Sequence, residues 1–310
     1  MSRVLGWIAL LRPFNLLLIS LTPLAIWASL VKPLYGEAVL TARQAFLLGV
    51  AIALVAAGGN VVNDIADRTI DELNGRRNPL LSGVTSGEAW VLYALLTLGA
   101  GALSLKLATE VGWLAGLVLL PLTAGALLAY AFALKCRPVV GNLIVALLCA
   151  GVPAVLLTVE PSVLAGLPSE TNAHVLLAYI VFAFAGTMAR ETVKDLEDRD
   201  GDRLAGCATL AVRWPVARTR RAVLAWGAVG LAALAYIAAV YFRAGASGAG
   251  LGWALVWGFL AVGLWNVDTP RPTERETYAV VSRQLKYTLA LALVVLVIYG
   301  RPSWNLSALS

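Results

Sequence analysis

Apolar stretches of about twenty residues, the length a helix needs to cross the hydrocarbon of a bilayer, recur from one end of this chain to the other. In lipid every backbone N–H and C=O must be satisfied internally, so segments of this kind fold as helices packed on one another. Nine are read, at 14–32, 44–62, 88–106, 112–134, 138–158, 173–193, 221–242, 250–267 and 285–300. The expected fold is all-α: a polytopic transmembrane helical bundle of about nine helices, one membrane domain over residues 1–310 whose two halves each carry an acidic segment. A soluble fold is excluded by composition. Only 14% of the residues are charged and 60% are hydrophobic, whereas a soluble domain carries about a quarter charged residues.

Alternating the loops of nine spans places 19 of the 24 Lys and Arg residues on one side, and the positive-inside rule makes that side cytoplasmic. The N-terminus is then expected in the cytoplasm and the C-terminus on the far side. Arg3 and Arg12 precede the first apolar run, but no polar cleavage region follows it, so it reads as a retained span and not a signal peptide. The net charge of +6 suits a basic face against anionic membrane lipids. No nucleic-acid partner is expected. Cys136, Cys149 and Cys207 have neither metal nor redox spacing and read as packing residues, with no disulfide. The Gly-rich stretch RAGASGAGLG, 243–252, follows no strand and reads as a flexible outer turn.

Two polar segments stand against this apolar background: GGNVVNDIADRTIDELNGRRNPLLSG from residue 58 and RETVKDLEDRDGDRLAGCATLAVR from residue 190. Each begins as the continuation of a span. With about 100° per helical residue, Asn60, Asn63, Asp64, Asp67 and Asp71 share an arc of about 100°. Glu191, Asp195, Asp198 and Asp202 share another, with Gly201 a potential stop before the last. Carboxylates gathered on one face repel each other, so at a membrane boundary something positive must sit among them. A divalent cation, basic side chains or protons meet that need. Mg2+ takes oxygen ligands and is typically held by one or two carboxylates plus substrate phosphates. A solvated helix end, paired at i,i+4 with Arg or Lys, explains either segment alone. The recurrence of one spacing, Asp67 to Asp71 and Asp198 to Asp202, favours a shared chemistry. A transporter also uses intramembrane acids, but near the midplane of broken helices, and these lie at span ends.

The order N-D-x-x-D-x-x-x-D (Asn63, Asp64, Asp67, Asp71) and D-x-x-D-x-x-x-D (Asp195, Asp198, Asp202), with LLRPFN at 10–15, RRNPLLSG at 76–83 and YAFALKCRPVVGN at 130–142, resembles the UbiA superfamily of intramembrane prenyltransferases. The likeness runs from the first span to residue 212. It implies nine transmembrane helices around a central cavity capped by two Asp-rich cytoplasmic loops. It also implies transfer of an isoprenyl chain from its diphosphate donor to a lipophilic acceptor. By that resemblance Asn63, Asp67, Asp71, Asp198 and Asp202 are the catalytic residues that hold Mg2+ against the diphosphate, with Asp64 and Asp195 assisting at metal and substrate. Arg68, Lys135, Arg137 and Lys194 lie in or beside the motifs and are candidates for the diphosphate oxygens, with snorkelling to headgroups the alternative for each. Asn15 and Tyr130 are candidates for the acceptor end or for hydrogen bonds between helices.

The second segment, RETVKDLEDRDGD, is similar to the pattern of digeranylgeranylglyceryl phosphate synthase-like members. That likeness implies a geranylgeranyl chain and, as acceptor, geranylgeranylglyceryl phosphate of ether-lipid synthesis. Two alternatives stay open. One is the same chemistry on an aromatic precursor of quinones or tocopherols, such as 4-hydroxybenzoate, homogentisate or naphthoate; the other is a non-catalytic transporter or lipid-binding protein. RRNPLLSG departs from its relatives, with Asn78 where they often carry Arg and with Leu81 before Ser-Gly, so this turn is expected to meet ligands differently.

Overall fold

The computed structural model describes residues 3–32, 38–73, 78–81, 83–166, 171–267 and 274–299. Arg76, Arg77, Arg271, Arg301 and most of the loop at 268–276 lie outside the described residues. Among those described there is no β-strand, and eight helices are long and apolar enough to cross a membrane. The remaining expected span, 138–158, the fifth in order, is interrupted: Val140–Ala154 ends at Val155 and is followed by the single turn Leu156–Val159. Pro153 lies in its last turn, where a ring without an N–H removes a helical hydrogen bond. The chain divides into two compact units, Met1–Leu24 with Leu40–Lys135, and Ala25–Val39 with Cys136–Ser310.

In the first unit, α1 (Arg3–Leu11) gives way at Arg12, a non-glycine residue at φ 55°, to α2 (Pro13–Ile26). Proline is pre-set for the first turn of a helix, so the break and the restart are both written in Arg12-Pro13. The long α3 (Ala42–Leu73) carries the first acidic segment in its last three turns. After it come a 3-10 turn at Pro79–Leu81, α4 (Ser86–Val111) and α5 (Gly116–Ala129), which continues as a π-helical turn over Tyr130–Leu134. Thr85 and Glu88 form a capping box that fixes where α4 begins. Leu10, Val61, Leu80 and Ala89 form a buried cluster flanked by Ile65, Leu92, Tyr93 and Leu96, which seats α1, the 3-10 turn and α4 on α3. At Gly49 the helices α2 and α3 approach so closely that a Cβ would stand 1.9 Å from the carbonyl oxygen of Ser20. Small residues permit such contact where lipid supplies no hydrophobic drive for helix association.

The second unit begins with the π-helical end of α2, Trp27–Val31. It contains α6 (Val140–Ala154), the short α7 (Leu156–Val159) and α8 (Pro161–Gly166), the long α9 (Thr171–Leu204), α10 (Leu210–Arg213), α11 (Val216–Arg243), α12 (Ser247–Trp265) and α13 (Glu274–Tyr299). Helix α9 is the hub, packing on α6, α11 and α13. It runs through Gly201, so Asp202 remains on the helical face that Gly201 threatened to interrupt. The turn expected over 243–252 is confined to 244–246, and the rest of the stretch is helical. Gly245 makes the reversal at φ 73°, and from Ser247 onward the glycines are helical, with Gly250 against Phe242 and Gly252 against Tyr299. The cysteine expectation is also corrected: Cys136 and Cys207 form a disulfide, with Cα atoms 4.6 Å apart across 71 residues of sequence. Local spacing could not show this, because the two are joined by tertiary structure, with the Ala208 N–H donating to the Cys136 carbonyl at 3.0 Å.

Candidate active site

Helix periodicity sets Asp64, Asp67 and Asp71 of α3 on one face, and each of the three meets a donor. Arg12 Nη2 donates to Asp64 Oδ1 at 2.6 Å, and its Nη1 reaches Asn60 Oδ1 at 3.4 Å. Asn60 in turn donates to the Leu11 carbonyl at 3.2 Å, so the strained backbone at Arg12 is held where its guanidinium faces the buried Asp64. One turn on, Asn63 Nδ2 donates to Asp67 Oδ2 at 2.7 Å, and the Lys135 ammonium pairs with Asp67 Oδ1. Lys135 is placed by the π turn, in which its N–H donates to the Tyr130 carbonyl five residues back at 2.9 Å. Single π turns of this kind are frequent at functional sites. At the last turn of α3, Asn78 Nδ2 donates to Asp71 Oδ2 at 2.9 Å.

The second acidic face is arranged alike within its own unit. Glu191 pairs with the neighbouring Arg190, and Asn142 of α6 donates to Asp195 Oδ2 at 3.0 Å. Thr209 Oγ1 donates to Asp202 Oδ2 at 2.9 Å, while the Cys207 N–H donates to the Asp202 carbonyl at 2.8 Å. The disulfide therefore holds the segment that supports Asp202. Asp198 is half-buried on the same face.

The other sequence candidates are less closely tied to the acids. Arg68 turns to the Ser86 hydroxyl at 3.0 Å. Arg137 and Lys194 are exposed, and Asn15 and Tyr130 are half-buried. Arg12, Asn78, Asn142 and Thr209 were not on the sequence-derived list, although each touches an acid that was. The signal for Arg12 was its place before Pro13 and that for Asn78 its departure within RRNPLLSG; Asn142 and Thr209 had none.

A carboxylate offers about four lone-pair sites, and the donors named above take one or two of those on Asp64, Asp67, Asp71 and Asp195, so these acids keep capacity for a cation. The donor set is all oxygen. Among the described residues no three His, Cys, Asp or Glu side chains close on one point. Oxygen donors are what Mg2+ takes, and it keeps waters and relies on a substrate's phosphates besides one or two carboxylates. The residues present fit it.

Fold and composition together define a multi-pass helical membrane protein with a donor-supported acidic face at the end of each of two long helices. The chain belongs to the UbiA prenyltransferase family, whose pattern it matches over residues 16–289. It is 33% identical to the digeranylgeranylglyceryl phosphate synthase of Methanothermobacter thermautotrophicus over 209 residues, 66% of each chain and so just under two thirds of that enzyme. With the synthase of Thermococcus kodakarensis it shares 30% over 260 residues, 83% of this chain and 85% of the other. Its fold is similar to that of a UbiA homologue from Archaeoglobus fulgidus bound to GPP and Mg2+, at a TM-score of 0.63 and 16% identity, covering 94% of this chain and 99% of that one. It is similar also to a solved digeranylgeranylglyceryl phosphate synthase, at a TM-score of 0.64 and 21% identity over 97% and 99% of the two chains.

Proposed function

We propose that this prenyltransferase moves a geranylgeranyl chain from its diphosphate to geranylgeranylglyceryl phosphate, with both acidic helix ends serving one Mg2+-dependent reaction. The observation that carries the reading is the repetition of Asp-x-x-x-Asp at the ends of α3 and α9, each face oxygen-rich and supported by its own donors. Asn63, Asp67, Asp71, Asp198 and Asp202 would hold the metal, assisted by Asp64 and Asp195. Bound Mg2+ would neutralise charge growing on the leaving diphosphate. Lys135 contributes the same kind of stabilisation, fixed in advance by its π turn, so no reorganisation is needed as the bond breaks. Arg68, Arg137 and Lys194 are the further cations for diphosphate or acceptor phosphate, and Asn15 and Tyr130 serve the acceptor end. Apolar helices house the prenyl chain and exclude water, which would quench an allylic cation. The chain works as a single membrane domain, with its N-terminus and both acidic ends cytoplasmic and its C-terminus on the far side.

The acceptor follows from the similarity to named synthases and from RETVKDLEDRDGD. The test incubates purified protein with Mg2+, geranylgeranyl diphosphate and either geranylgeranylglyceryl phosphate or a panel of aromatic acids. Diphosphate release and prenylated product are measured with and without chelator. Product with the glycerol phosphate alone, abolished by chelator, is expected; product with an aromatic acid alone would move the chain to quinone-type chemistry.

A further inference from the structure

Asn78 is 1% exposed and uses its whole amide. Its Nδ2 donates to Asp71 Oδ2 and to the Asp64 carbonyl, both at 2.9 Å, and its Oδ1 accepts the Leu80 N–H at 2.9 Å. Helix geometry explains how one NH2 reaches two residues of α3. Positions seven apart lie almost in line along the helix, carbonyls point towards its C-terminus and side chains lean back towards its N-terminus, so the Asp64 carbonyl and the Asp71 carboxylate converge. Asp71 stands in the last turn, where helices fray and side chains have few neighbours to fix them. Among the described residues Asn78 is the one hydrogen-bond donor to its carboxylate.

We propose that Asn78 is a positioning residue, which holds the Asp71 carboxylate in the orientation that receives Mg2+ and so sets how tightly the metal binds. This rests on Asp71 being a metal ligand. Leu80 completes the device: it is buried in the apolar cluster with Val61, so the turn that carries Asn78 is anchored to α3 independently of the amide. Loss of a partner that orients a metal ligand typically weakens metal binding by 10–100-fold.

Asn78→Asp separates the two roles of the side chain. It keeps an acceptor for the Leu80 N–H and loses the NH2 that donates to Asp71 and to the Asp64 carbonyl. Asn78→Leu removes both at similar volume. Each variant is titrated with Mg2+ in the presence of inorganic diphosphate, reading the rise in thermal midpoint, and separately assayed for kcat at saturating Mg2+. Both variants are expected to need about tenfold more Mg2+ for half-maximal stabilisation, with kcat at saturation within a few-fold of the parent. In an Asp71→Asn background the same substitutions are expected to add no further shift. A normal Mg2+ half-point in Asn78→Asp, or an equal shift in the Asp71→Asn background, would overturn the proposal by reducing Asn78 to a turn residue. A parent protein with no Mg2+ response at all would instead refute the metal reading on which it rests.

Discussion

At the scale of single residues the site consists of acids with assigned partners, and the partners make predictions of different kinds. Lys135, paired with Asp67, is the cation proposed for the diphosphate. Lys135→Met is expected to lower kcat/KM by roughly 10²-fold, by the measure of a lost transition-state donor, with diphosphate release as the readout; a loss below threefold would remove Lys135 from the chemistry. Arg12 is a partner of another sort, since Asp64 is buried and Arg12 is partly open to solvent, with side-chain exposures of 9% and 41%. Arg12→Ala leaves the carboxylate without its charged donor and is expected to cost on the order of 1–3 kcal/mol of stability. The double variant Arg12→Ala/Asp64→Asn should regain part of that in thermal denaturation, because a neutral amide is cheaper to bury. The acids themselves were legible in the sequence, because 3.6-residue periodicity needs only local spacing. Arg12 and Asn142 were not assigned, because they meet their acids across 52 and 53 residues of sequence, a relation that helix periodicity does not encode.

Elements were legible where length and hydropathy decide them, and misread where a few residues override the pattern. Spans over α3, α4, α9, α11, α12 and α13 follow from apolar run length. The interruption at Val155 falls just after a proline near a helix end, and α9 continues through Gly201, a weak helix former in its last turn that does not end it. The glycines of 243–252 read as a turn by composition, yet two of them serve helix contact. Close approach gives a contrast to measure. At Gly49 an added methyl meets a backbone carbonyl, whereas at Gly227 it meets the side chain of Leu264, which can rotate away. Gly49→Ala is therefore expected to lower stability by roughly 1–3 kcal/mol, and Gly227→Ala by less, in thermal denaturation in detergent; the reverse order would contradict the α2–α3 crossing. The disulfide is tested by counting thiols. Denatured without reductant, the chain is expected to show one reactive thiol, Cys149, and three would exclude the Cys136–Cys207 bond.

For the whole molecule, the sequence pattern and the family agree on a multi-pass bundle, and the 19-to-5 division of basic residues proposes its orientation. Single cysteines introduced at exposed positions beside Asp71 and beside Arg243, in a chain without native cysteines, should react with an impermeant maleimide from opposite sides of sealed vesicles. Labelling from the same side would reject the proposed topology. The central claim is that the acidic ends of α3 and α9 serve one reaction. It is tested most directly by Mg2+-dependent diphosphate release in Asp67→Ala, Asp198→Ala and the double variant, each shown to be folded in membranes. Groups that act as a unit are grossly non-additive. Each single variant is predicted to lose activity by orders of magnitude and the double to be scarcely worse than the poorer single. Near-normal turnover in either single variant, or losses that multiply in the double, would contradict it.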